Sequence, residues 1–468
     1  MIKILLNMGS NMNFKIKKIF LFLIIAFNLF FAVIASEDEP TIITDKPTTL
    51  TYPSFWHTPF GIHRGTPFWL KVFLGNRTYF NNPQDLAATK LLVDYGKINK
   101  GKDDWQLTVY GVNSGNSEVI YNQSMYSLNI FGKYGTKDGE LNNPIGIACN
   151  EYGDIYIADT GNNRIARFFN DGKKVRFIRN IGEEGEQKGQ FKMPTYIAVD
   201  SMGRIYVSDT GNNRIQVFDK SGGFLYMIGK EKGISQPTGI AVSDEMERYS
   251  GYKYNFIYVI DASGTRILKF DFNGNIIRSS RVNEILGKNV YLTTLEQDYF
   301  GNLYVVDNLN SCVLKFDPEL NFITSFGSYG KEDYQFEKPT GIAIYKHYGQ
   351  IFVSDRESAQ YFWIGSDIFD FNIEKVKSST VDVYQFTFYL TEKSYVTIII
   401  KIDEKIKITV CDKKEFQMGK NSFLWEVPEI IKTEYFKQGM GYDVNVRVTS
   451  TYSSYPNIIK MIKSTLVF

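Results

Sequence analysis

Three observations predict an all-β protein in which a repeat domain is followed by a second β-domain. The 468 residues include 36 Phe and 31 Tyr, side chains that favour the pleated, half-buried surface of a sheet. A short pattern returns along the chain with a nearly constant period of about fifty residues. From about Phe369 this period stops, and about six alternating segments follow without helical periodicity. A chain of this length is expected to contain two or three domains.

Residues 1–35 are expected to be a secretory signal and not part of the fold. A basic segment precedes the apolar run Ile19–Ile34, and the small side chains of Val33 and Ala35 favour cleavage before Ser36. A retained membrane anchor is the alternative, although a run of sixteen residues is short for a bilayer. We therefore expect an exported protein with no transmembrane segment after cleavage.

Charge and cysteine content exclude several classes of function. Without residues 1–35 the chain has 49 Lys and Arg against 51 Asp and Glu, so no basic surface for nucleic acid is expected. The three cysteines, Cys149, Cys312 and Cys411, are too widely spaced for a disulfide framework or a metal-binding knot. Stability is therefore expected to come from the hydrophobic core, and no metal or cofactor is predicted.

The repeat is clearest in two nearly identical stretches, IYIADTGNNRI from Ile155 and IYVSDTGNNRI from Ile205. A degenerate copy, LLVDYGK with Asp94, lies 65 residues before the first aspartate of the regular series. That series has steps of 50, 52, 46 and 48 residues and consists of Asp159, Asp209, Asp261, Asp307 and Asp355. Six copies at such a period indicate a repeat architecture.

Each repeat contains four short alternating runs separated by turns rich in Gly, Asn and Asp. In the third repeat the runs are MPTYIAVD, GRIYVSD, RIQVFD and FLYMIG. This pattern is typical of a four-stranded antiparallel meander. One such sheet cannot bury both of its faces, whereas six sheets arranged radially bury their faces against each other. We predict a six-bladed β-propeller over residues 68–368.

The repeats resemble the NHL repeat family in the opening strand P-x-G-I-A-V and in the pattern G-x-I-Y-V-x-D-T-G-N-N-R-I-x-x-F. The resemblance is close around Asp159 and Asp209, weaker in the other repeats, and covers Phe68 to Ile364. It implies a propeller that most often serves as a binding platform and in a minority of related proteins is an enzyme. It therefore says little about the ligand.

The Asp-Thr-Gly triplet, which also occurs in aspartic proteases, is interpreted as structural. The two triplets are fifty residues apart, and pepsin-like lobes are much longer than that. An arginine follows three of the aspartates at five residues, where the two side chains face each other across a turn and can form a charge-assisted pair. The expected pairs are Asp159 with Arg164, Asp209 with Arg214, and Asp261 with Arg266.

The propeller is expected to be closed by the N-terminal part of the chain, because an open ring would expose a sheet edge. The sixth repeat has no convincing fourth strand, whereas FWLKVFLG resembles the fourth strands of other repeats. We predict that Phe68–Leu74 pairs beside Gln360–Ile364. Residues 36–67, which contain five prolines, are expected to be a linker or strap.

Residues 369–468 are predicted to form a β-sandwich, with strands such as VDVYQFTFYL and SYVTIIIKI. The domain resembles the Ig-like domain of flagellar hook-capping proteins in its V-T-I-I-I strand, in Gly419–Trp425 and in the G-M-G-Y-D-V segment from Gly439. Tyr452–Phe468 extends past the usual last strand. The resemblance implies a secreted, periplasmic or cell-surface protein of a bacterial envelope, in which this domain is a spacer or sorting module.

Two candidate binding regions follow from the alignment of the first strands. The fifth repeat has Glu296 at a position where the other five repeats have an alanine. A carboxylate near the channel must be paired, hydrated or protonated. It is either a structural glutamate or a ligand-binding group. The residues after the first-strand proline should ring one channel mouth and could bind a peptide or glycan, although ordinary solvated loops look the same. They are Gln84, Ile145, Thr195, Thr238 and Thr340, with Tyr196 where other repeats have glycine.

Catalysis is the less favoured function. The three histidines, His57, His63 and His347, cannot supply three zinc ligands at a channel mouth, and a calcium-dependent lactonase would need convergent Asp, Glu and Asn. The predicted function is an exported, monomeric binding or scaffold protein for a protein, peptide or glycan. The alternatives are an enzyme, a lyase or lactonase that uses channel carboxylates and a divalent metal, and a purely structural envelope component.

Overall fold

The computed structural model describes residues 42–53, 58, 62–92, 107–124, 127–378, 381–452 and 458–468. The predicted signal segment lies outside these residues. The chain divides into two compact units. One comprises Pro53–His347 and Ile351–Tyr361, and the other contains the N-terminal segment up to Tyr52, Tyr348–Gln350 and Phe362–Phe468. No helix of the described residues is long and apolar enough to cross a membrane.

The described chain begins with short elements, namely β1 (Ile42–Thr44), β2 (Leu50–Thr51), β3 (Arg64–Gly65) and the helix α1 (Pro67–Leu74). Six antiparallel sheets follow, which we call blades one to six. Blade one contains β4 (Pro83–Lys90), β5 (Leu107–Asn113), β6 (Glu118–Ser124) and β7 (Ser127–Phe131). Blade two contains β8 (Ile147–Cys149), β9 (Asp154–Asp159), β10 (Arg164–Asn170) and β11 (Val175–Ile181). Blade three contains β12 (Pro194–Val199), β13 (Ile205–Asp209), β14 (Arg214–Phe218) and β15 (Phe224–Ile228).

The second half of the ring repeats this arrangement. Blade four contains β16 (Ile240–Ser243), β17 (Phe256–Asp261), β18 (Arg266–Asp271) and β19 (Ile276–Arg281), and the helix α2 (Val282–Leu286) follows it. Blade five contains β20 (Leu292–Gln297), β21 (Leu303–Asp307), β22 (Cys312–Phe316) and β23 (Phe322–Phe326), followed by the parallel pair β24 (Ser328–Tyr329) and β25 (Gln335–Phe336). Blade six contains β26 (Gly341–Tyr345), β27 (Gln350–Asp355) and β28 (Ser358–Ile364).

The six sheets form a closed β-propeller, as the sequence predicts. The first strand of every blade packs against the first strands of both neighbouring blades, and β26 of blade six packs against β4 of blade one. Hydrophobic clusters fill the space between adjacent blades. Ala148 and Tyr156 of blade two, for example, pack with Ile197 and Ile205 of blade three. Each blade thus buries its faces against its neighbours, which a single meander could not do.

A buried ion pair joins the second and third strands in blades two to four, at the predicted residues. The distances from arginine nitrogen to aspartate oxygen are 2.8 Å for Arg164 and Asp159, 2.7 Å for Arg214 and Asp209, and 2.6 Å for Arg266 and Asp261. The guanidinium of Arg214 also donates to the backbone oxygens of Glu186, Gln187 and Gln190 in the preceding loop. The other carboxylate oxygen of Asp209 accepts the N–H of Lys192, just before the innermost strand. Each pair therefore joins the second strand, the third strand and the loop that leads into the innermost strand of its blade.

Blade one carries this motif at Asn113, whereas Asp94 lies outside the described residues. Asn113 pairs with Pro83, in the register that joins the repeated aspartate to the start of the first strand in blades three and five. Its side-chain amide donates to Glu118 Oε1 at 2.8 Å, five residues further on. The charges of the usual pair are thus replaced by an amide donor and a carboxylate acceptor. The assignment of the first copy to LLVDYGK was wrong because it searched for an aspartate.

The ring is closed by an N-terminal strand, but the predicted segment was wrong. Phe68–Leu74 belongs to the helix α1, and Phe68 is exposed. The strand that pairs with β28 in the first unit is β3, which aligns Arg64 with Gln360 and Gly65 with Ala359. Apolar residues at most positions of Phe68–Leu74 fit a helix as well as a buried strand, and the proline that begins α1 is favourable in a first helical turn.

The second unit is a β-sandwich. One sheet has the order β1–β35–β34–β31–β32 and the other β29–β30–β33. Side chains such as Phe386, Ile398 and Val446 fill the core between them and are fully buried. β2 pairs with Trp363 and Ile364 in this unit. The remaining elements are β29 (Ile368–Val376), β30 (Val383–Leu390), β31 (Ser394–Lys401), β32 (Lys407–Phe416), β33 (Gly419–Glu426), α3 (Glu429–Tyr435), β34 (Gly441–Ser450) and β35 (Ile458–Val467).

Replacing Arg214 with methionine should destabilise the propeller strongly, because the buried carboxylate of Asp209 would lose its cation. We expect Arg214→Met to lower the free energy of unfolding by about 3 kcal/mol. Arg176→Met, at an exposed arginine of β11, should change it by less than about 0.5 kcal/mol. Urea denaturation of both variants tests this prediction. Equal losses in the two variants would contradict the role assigned to the pair.

Candidate functional site

The loops that lead into the innermost strands surround a cavity of about 250 Å³ in the propeller unit, which we call the mouth cavity. It lies at the ends of these strands where the chain enters them from the preceding loops. All six residues that the sequence predicted at the mouth line it. The complete lining is Asn82, Pro83, Gln84, Ile145, Thr195, Tyr196, Thr238, Tyr291, Leu292, Thr293, Asn308, Lys338, Thr340 and Arg356.

The threonines of this ring already have hydrogen-bond partners in the protein. Two of the four bonds, those donated by Thr293 and Thr340, connect neighbouring blades, and the other two each lie within one blade. The bonds are Thr195 Oγ1 with Thr210 Oγ1 (2.6 Å), Thr238 Oγ1 to Ile260 O (3.5 Å), Thr293 Oγ1 to Thr340 O (2.8 Å) and Thr340 Oγ1 to Pro83 O (2.9 Å). The sequence thus located the threonines correctly at the mouth, but these bonds give them a structural role.

The groups that remain available to a ligand are mostly those that sequence reasoning missed. Tyr291 is 50% exposed, and Lys338 and Arg356 are exposed as well. Tyr196, which the sequence did single out, is almost completely buried. Gln84 donates from its amide to Asn82, which leaves its oxygen accessible to another donor. Aromatic faces, amides and cations therefore define the chemistry of the mouth cavity.

One signal in the sequence could have identified Arg356. The turn after the repeated aspartate contains Thr-Gly-Asn-Asn in blades two and three, but in blade six β27 ends at Asp355 and β28 begins at Ser358. This turn is two residues shorter. Gln360 therefore does not occupy the arginine position of the other blades; its amide donates to Gln335 O as that of Gln216 donates to Gln190 O in blade three.

Alternating side-chain size around the axis explains how Tyr196 fits. Two residues after the proline that leads into the innermost strand, blades two, four and six have Gly146, Gly239 and Gly341. A Cβ on any of these glycines would collide with the backbone of the next blade. The following blades have side chains at this position, namely Asp85 in blade one, Tyr196 in blade three and Thr294 in blade five. Three side chains therefore occupy a level of the channel that could not hold six.

Asp85 is a nearly fully buried carboxylate at this level. Its Oδ2 accepts the N–H of Ile147 in blade two at 3.0 Å. Burial raises the pKa of Asp85 well above its usual range, the N–H groups of Ile147 and Leu86 offset only part of this effect, and the charge of Glu296 adds to it. Burial therefore favours the protonated, neutral form of the Asp85 carboxyl group.

Glu296 lies deeper in the channel and is not part of the mouth cavity. It pairs with Tyr304, as Ala198 pairs with Tyr206, so it occupies the position at which other blades have alanine. Burial raises the pKa of Glu296 to about 7, and the positive charge of Lys346 lowers it in part. Lys346 forms an ion pair of 2.8 Å with Glu247. Glu296 thus belongs to a charged cluster that is separate from the other predicted ligand-binding residues.

A metal site is not apparent in the described parts of the chain. There, no group of three or more His, Cys, Asp or Glu side chains is arranged to hold a metal ion. Of the predicted histidine positions, His57 lies outside the described residues, His63 lies 3.4 Å from Asp333, and His347 stacks on Tyr249 at a ring distance of 4.2 Å.

The NHL repeat model matches residues 141–168 and 191–218, which fall in blades two and three. Two of the six blades of this propeller therefore match the NHL repeat. A comparison with curated proteins found no significant match.

Solved structures with a similar fold include virginiamycin B lyase from Staphylococcus aureus, with 16% identity, coverage of 55% of this chain and 76% of that chain, and a TM-score of 0.39. A proposed gluconolactonase has 10% identity, coverage of 67% and 97%, and a TM-score of 0.43. A luciferin-regenerating enzyme has 11% identity, coverage of 64% and 94%, and a TM-score of 0.41. At these levels of likeness, their activities do not transfer to this chain.

Replacing Glu296 with glutamine should stabilise the propeller more at high pH than at low pH. The folded-state pKa of about 7 lies above the ordinary value of 4.5, so the folded protein holds an extra proton between these values and loses stability as the pH rises through them. We expect the advantage of Glu296→Gln over wild type to grow by about 2 kcal/mol between pH 5 and pH 8. Urea denaturation at both values measures it, with Glu357→Gln, at an exposed glutamate, as the control. A constant difference would exclude the shifted titration.

Proposed function

We propose that this chain is an exported binding protein and that its ligand occupies the mouth cavity. The observation that carries the proposal is the combination of available aromatic, amide and cationic groups in one concave site. These groups project from strands and tight turns that are fixed by hydrogen bonds between blades. Concave sites with a few convergent polar groups on a rigid scaffold are typical of ligand binding.

Binding is favoured over catalysis by the kinds of side chains in the cavity. Its described lining contains no carboxylate, histidine or cysteine, the residues that most often act as general acid, general base or nucleophile. Tyrosines, amides, a lysine and an arginine instead offer hydrogen bonds and flat surfaces. This composition supports recognition of a polar ligand that contains a ring or an anionic group.

The enzymatic alternative has one specific observation in its favour. Glu296 has a pKa raised to about 7, and its charge raises the pKa of the buried Asp85. A carboxyl group with a pKa near neutrality is suited to proton transfer. An enzyme that uses these carboxylates would need substrate access below the mouth cavity. A divalent metal detected by elemental analysis of the purified protein and lost in Glu296→Gln would favour this alternative over binding alone.

Export and the character of the second unit belong to the same proposal. The basic segment, the apolar run and the small residues before Ser36 support removal of residues 1–35. The resemblance of the sandwich to the Ig-like domain of hook-capping proteins supports a bacterial envelope or extracellular location. In this arrangement the sandwich acts as a spacer or sorting module, and the propeller presents the mouth cavity to a protein, peptide or glycan.

Export predicts a defined N-terminus. Protein collected from the medium, periplasm or envelope fraction of a bacterial host should begin at Ser36, because Val33 and Ala35 fit the cleavage specificity of signal peptidase. Intact mass spectrometry and N-terminal sequencing measure this. An Ala35→Leu variant, which removes the small side chain, should accumulate uncleaved. A wild-type product that retains residues 1–35 would contradict cleavage and favour a membrane anchor.

Filling the mouth cavity should abolish binding without unfolding the propeller. Ile145 is a partly buried, apolar lining residue, so Ile145→Trp adds bulk without removing a side-chain hydrogen bond. We expect wild-type protein, screened against glycan and peptide arrays, to bind ligands that Ile145→Trp no longer binds. Ile276→Trp, on the exposed outer strand β19, is the matched control and should bind as wild type does. Binding that survives in Ile145→Trp would place the ligand site elsewhere.

A further inference from the structure

Positive charge in the mouth cavity is concentrated on blade six. Lys338 and Arg356 are the charged members of the described lining, and both are cations. The N–H of Lys338 donates to Asp355 Oδ1 at 2.6 Å, so the residue that precedes Arg356 is bonded directly to the backbone of Lys338. Lys338 therefore lies just before the innermost strand β26, and Arg356 follows the neighbouring strand β27. A cavity with two cations and no carboxylate in its lining favours an anionic ligand.

The side chains of Lys338 and Arg356 are not used by the fold. Neither forms an ion pair or a side-chain hydrogen bond with any described residue. Asp355, the nearest carboxylate in sequence, is buried, and its oxygens accept the N–H groups of Glu337 and Lys338. The two cations thus remain able to bind an external anion.

The packing between blades explains why Arg356 is available. At the equivalent position in blades two, three and five, Thr160, Thr210 and Asn308 donate to the proline carbonyl of the next blade. Blade six is joined to blade one by other groups, namely Thr340 Oγ1 to Pro83 O at 2.9 Å and Ser354 Oγ to Gln84 O at 3.1 Å. Arg356, the residue after Asp355, is therefore not needed for a hydrogen bond to the next blade. This position can accommodate an arginine whose side chain remains available.

The geometry points to a carboxylate-bearing sugar unit, and this inference rests on the proposed function of the mouth cavity. We propose that Arg356 and Lys338 bind the carboxylate of a uronic acid, while Tyr291 and the amides contact its ring and hydroxyl groups. A guanidinium presents two parallel N–H donors that match the two oxygens of a carboxylate. Tyr291 offers ring surface, and Gln84 and Asn82 offer amides for hydroxyl groups.

The size of the cavity selects a single ring over a longer ligand. Sites for drug-sized molecules usually measure roughly 300–1,000 Å³, whereas the mouth cavity measures about 250 Å³. One pyranose ring with its carboxylate fits this volume. An extended peptide would need a groove across the blades. A terminal uronic acid of a glycan or a free sugar acid would offer the same group to Arg356.

Isothermal titration of the full mature chain with galacturonate, galactose and inorganic phosphate tests the inference. Galactose has the same ring without the carboxylate, and phosphate has the charge without the ring. We expect saturable binding of galacturonate with a dissociation constant in the millimolar range or below, and at least about tenfold weaker binding of both other compounds. Arg356→Ala and Lys338→Ala should each weaken galacturonate binding about tenfold, since each removes a charge-assisted hydrogen bond. Arg176→Ala, at an exposed arginine away from the cavity, should have no effect.

The outcomes separate this inference from the proposed function. Three results would each overturn the uronic-acid assignment. Galacturonate could bind no more tightly than galactose, or phosphate could bind as tightly as galacturonate. The third result is galacturonate binding that is unaffected in both Arg356→Ala and Lys338→Ala. If an array ligand is nevertheless lost in Ile145→Trp, the mouth cavity is still a binding site for another class of ligand. If no array ligand depends on Ile145, the proposed function fails as well. A panel of oligogalacturonides and the monosaccharide then distinguishes a glycan end from a free sugar acid.

Discussion

A carboxylate without access to solvent ends the second strand in five of the six blades, and its need for donors organises the propeller. Asp159, Asp209, Asp261 and Asp307 are 0% exposed, and Asp355 is 2% exposed. A buried carboxylate is tolerated only when charge partners or hydrogen-bond donors surround it. Its donors include a backbone N–H directly before the innermost strand, as in the bond from Lys192 to Asp209. The carboxylate therefore fixes where the innermost strand begins, and with it the rim of the mouth cavity.

The candidate sites arise where the repeats depart from one another. Glycines in alternate blades allow close approach of the backbones, and the blades between them can therefore carry Asp85 and Tyr196 into the channel. Glu296 replaces an alanine in blade five, and the short turn in blade six presents Arg356. In a regular ring all six blades would present the same side chains to the mouth cavity. The differences between blades give this propeller one cationic side and one set of channel carboxylates.

The second unit depends on a similar constraint at a single place. Asp367 is buried, forms an ion pair of 3.1 Å with Lys460 and accepts the N–H of Thr48 at 3.0 Å. β1 runs parallel to β35 next to this pair, so the N-terminal segment becomes an edge of the larger sheet of the sandwich. The strap expected over residues 36–67 thus supplies β1 to the larger sheet of the sandwich, β2 as the partner of Trp363 and Ile364, and β3 to the propeller unit.

The sequence by itself determined the all-β class, the six blades, three Asp–Arg pairs and the ring of residues at the mouth, because these follow from a pattern that recurs about every fifty residues. It could not identify Asn113 as the sixth anchor, since the pair of Asn113 and Glu118 has neither the aspartate nor the arginine by which the other copies are recognised. It also misplaced the closing strand, because apolar residues alone do not distinguish the helix α1 from a buried strand. Only the tertiary structure decided that the hydroxyl groups of the mouth threonines are used in hydrogen bonds within the protein while Lys338 and Arg356 remain available. Which polar groups a ligand can reach depends on contacts between residues far apart in the chain, and no local pattern records them.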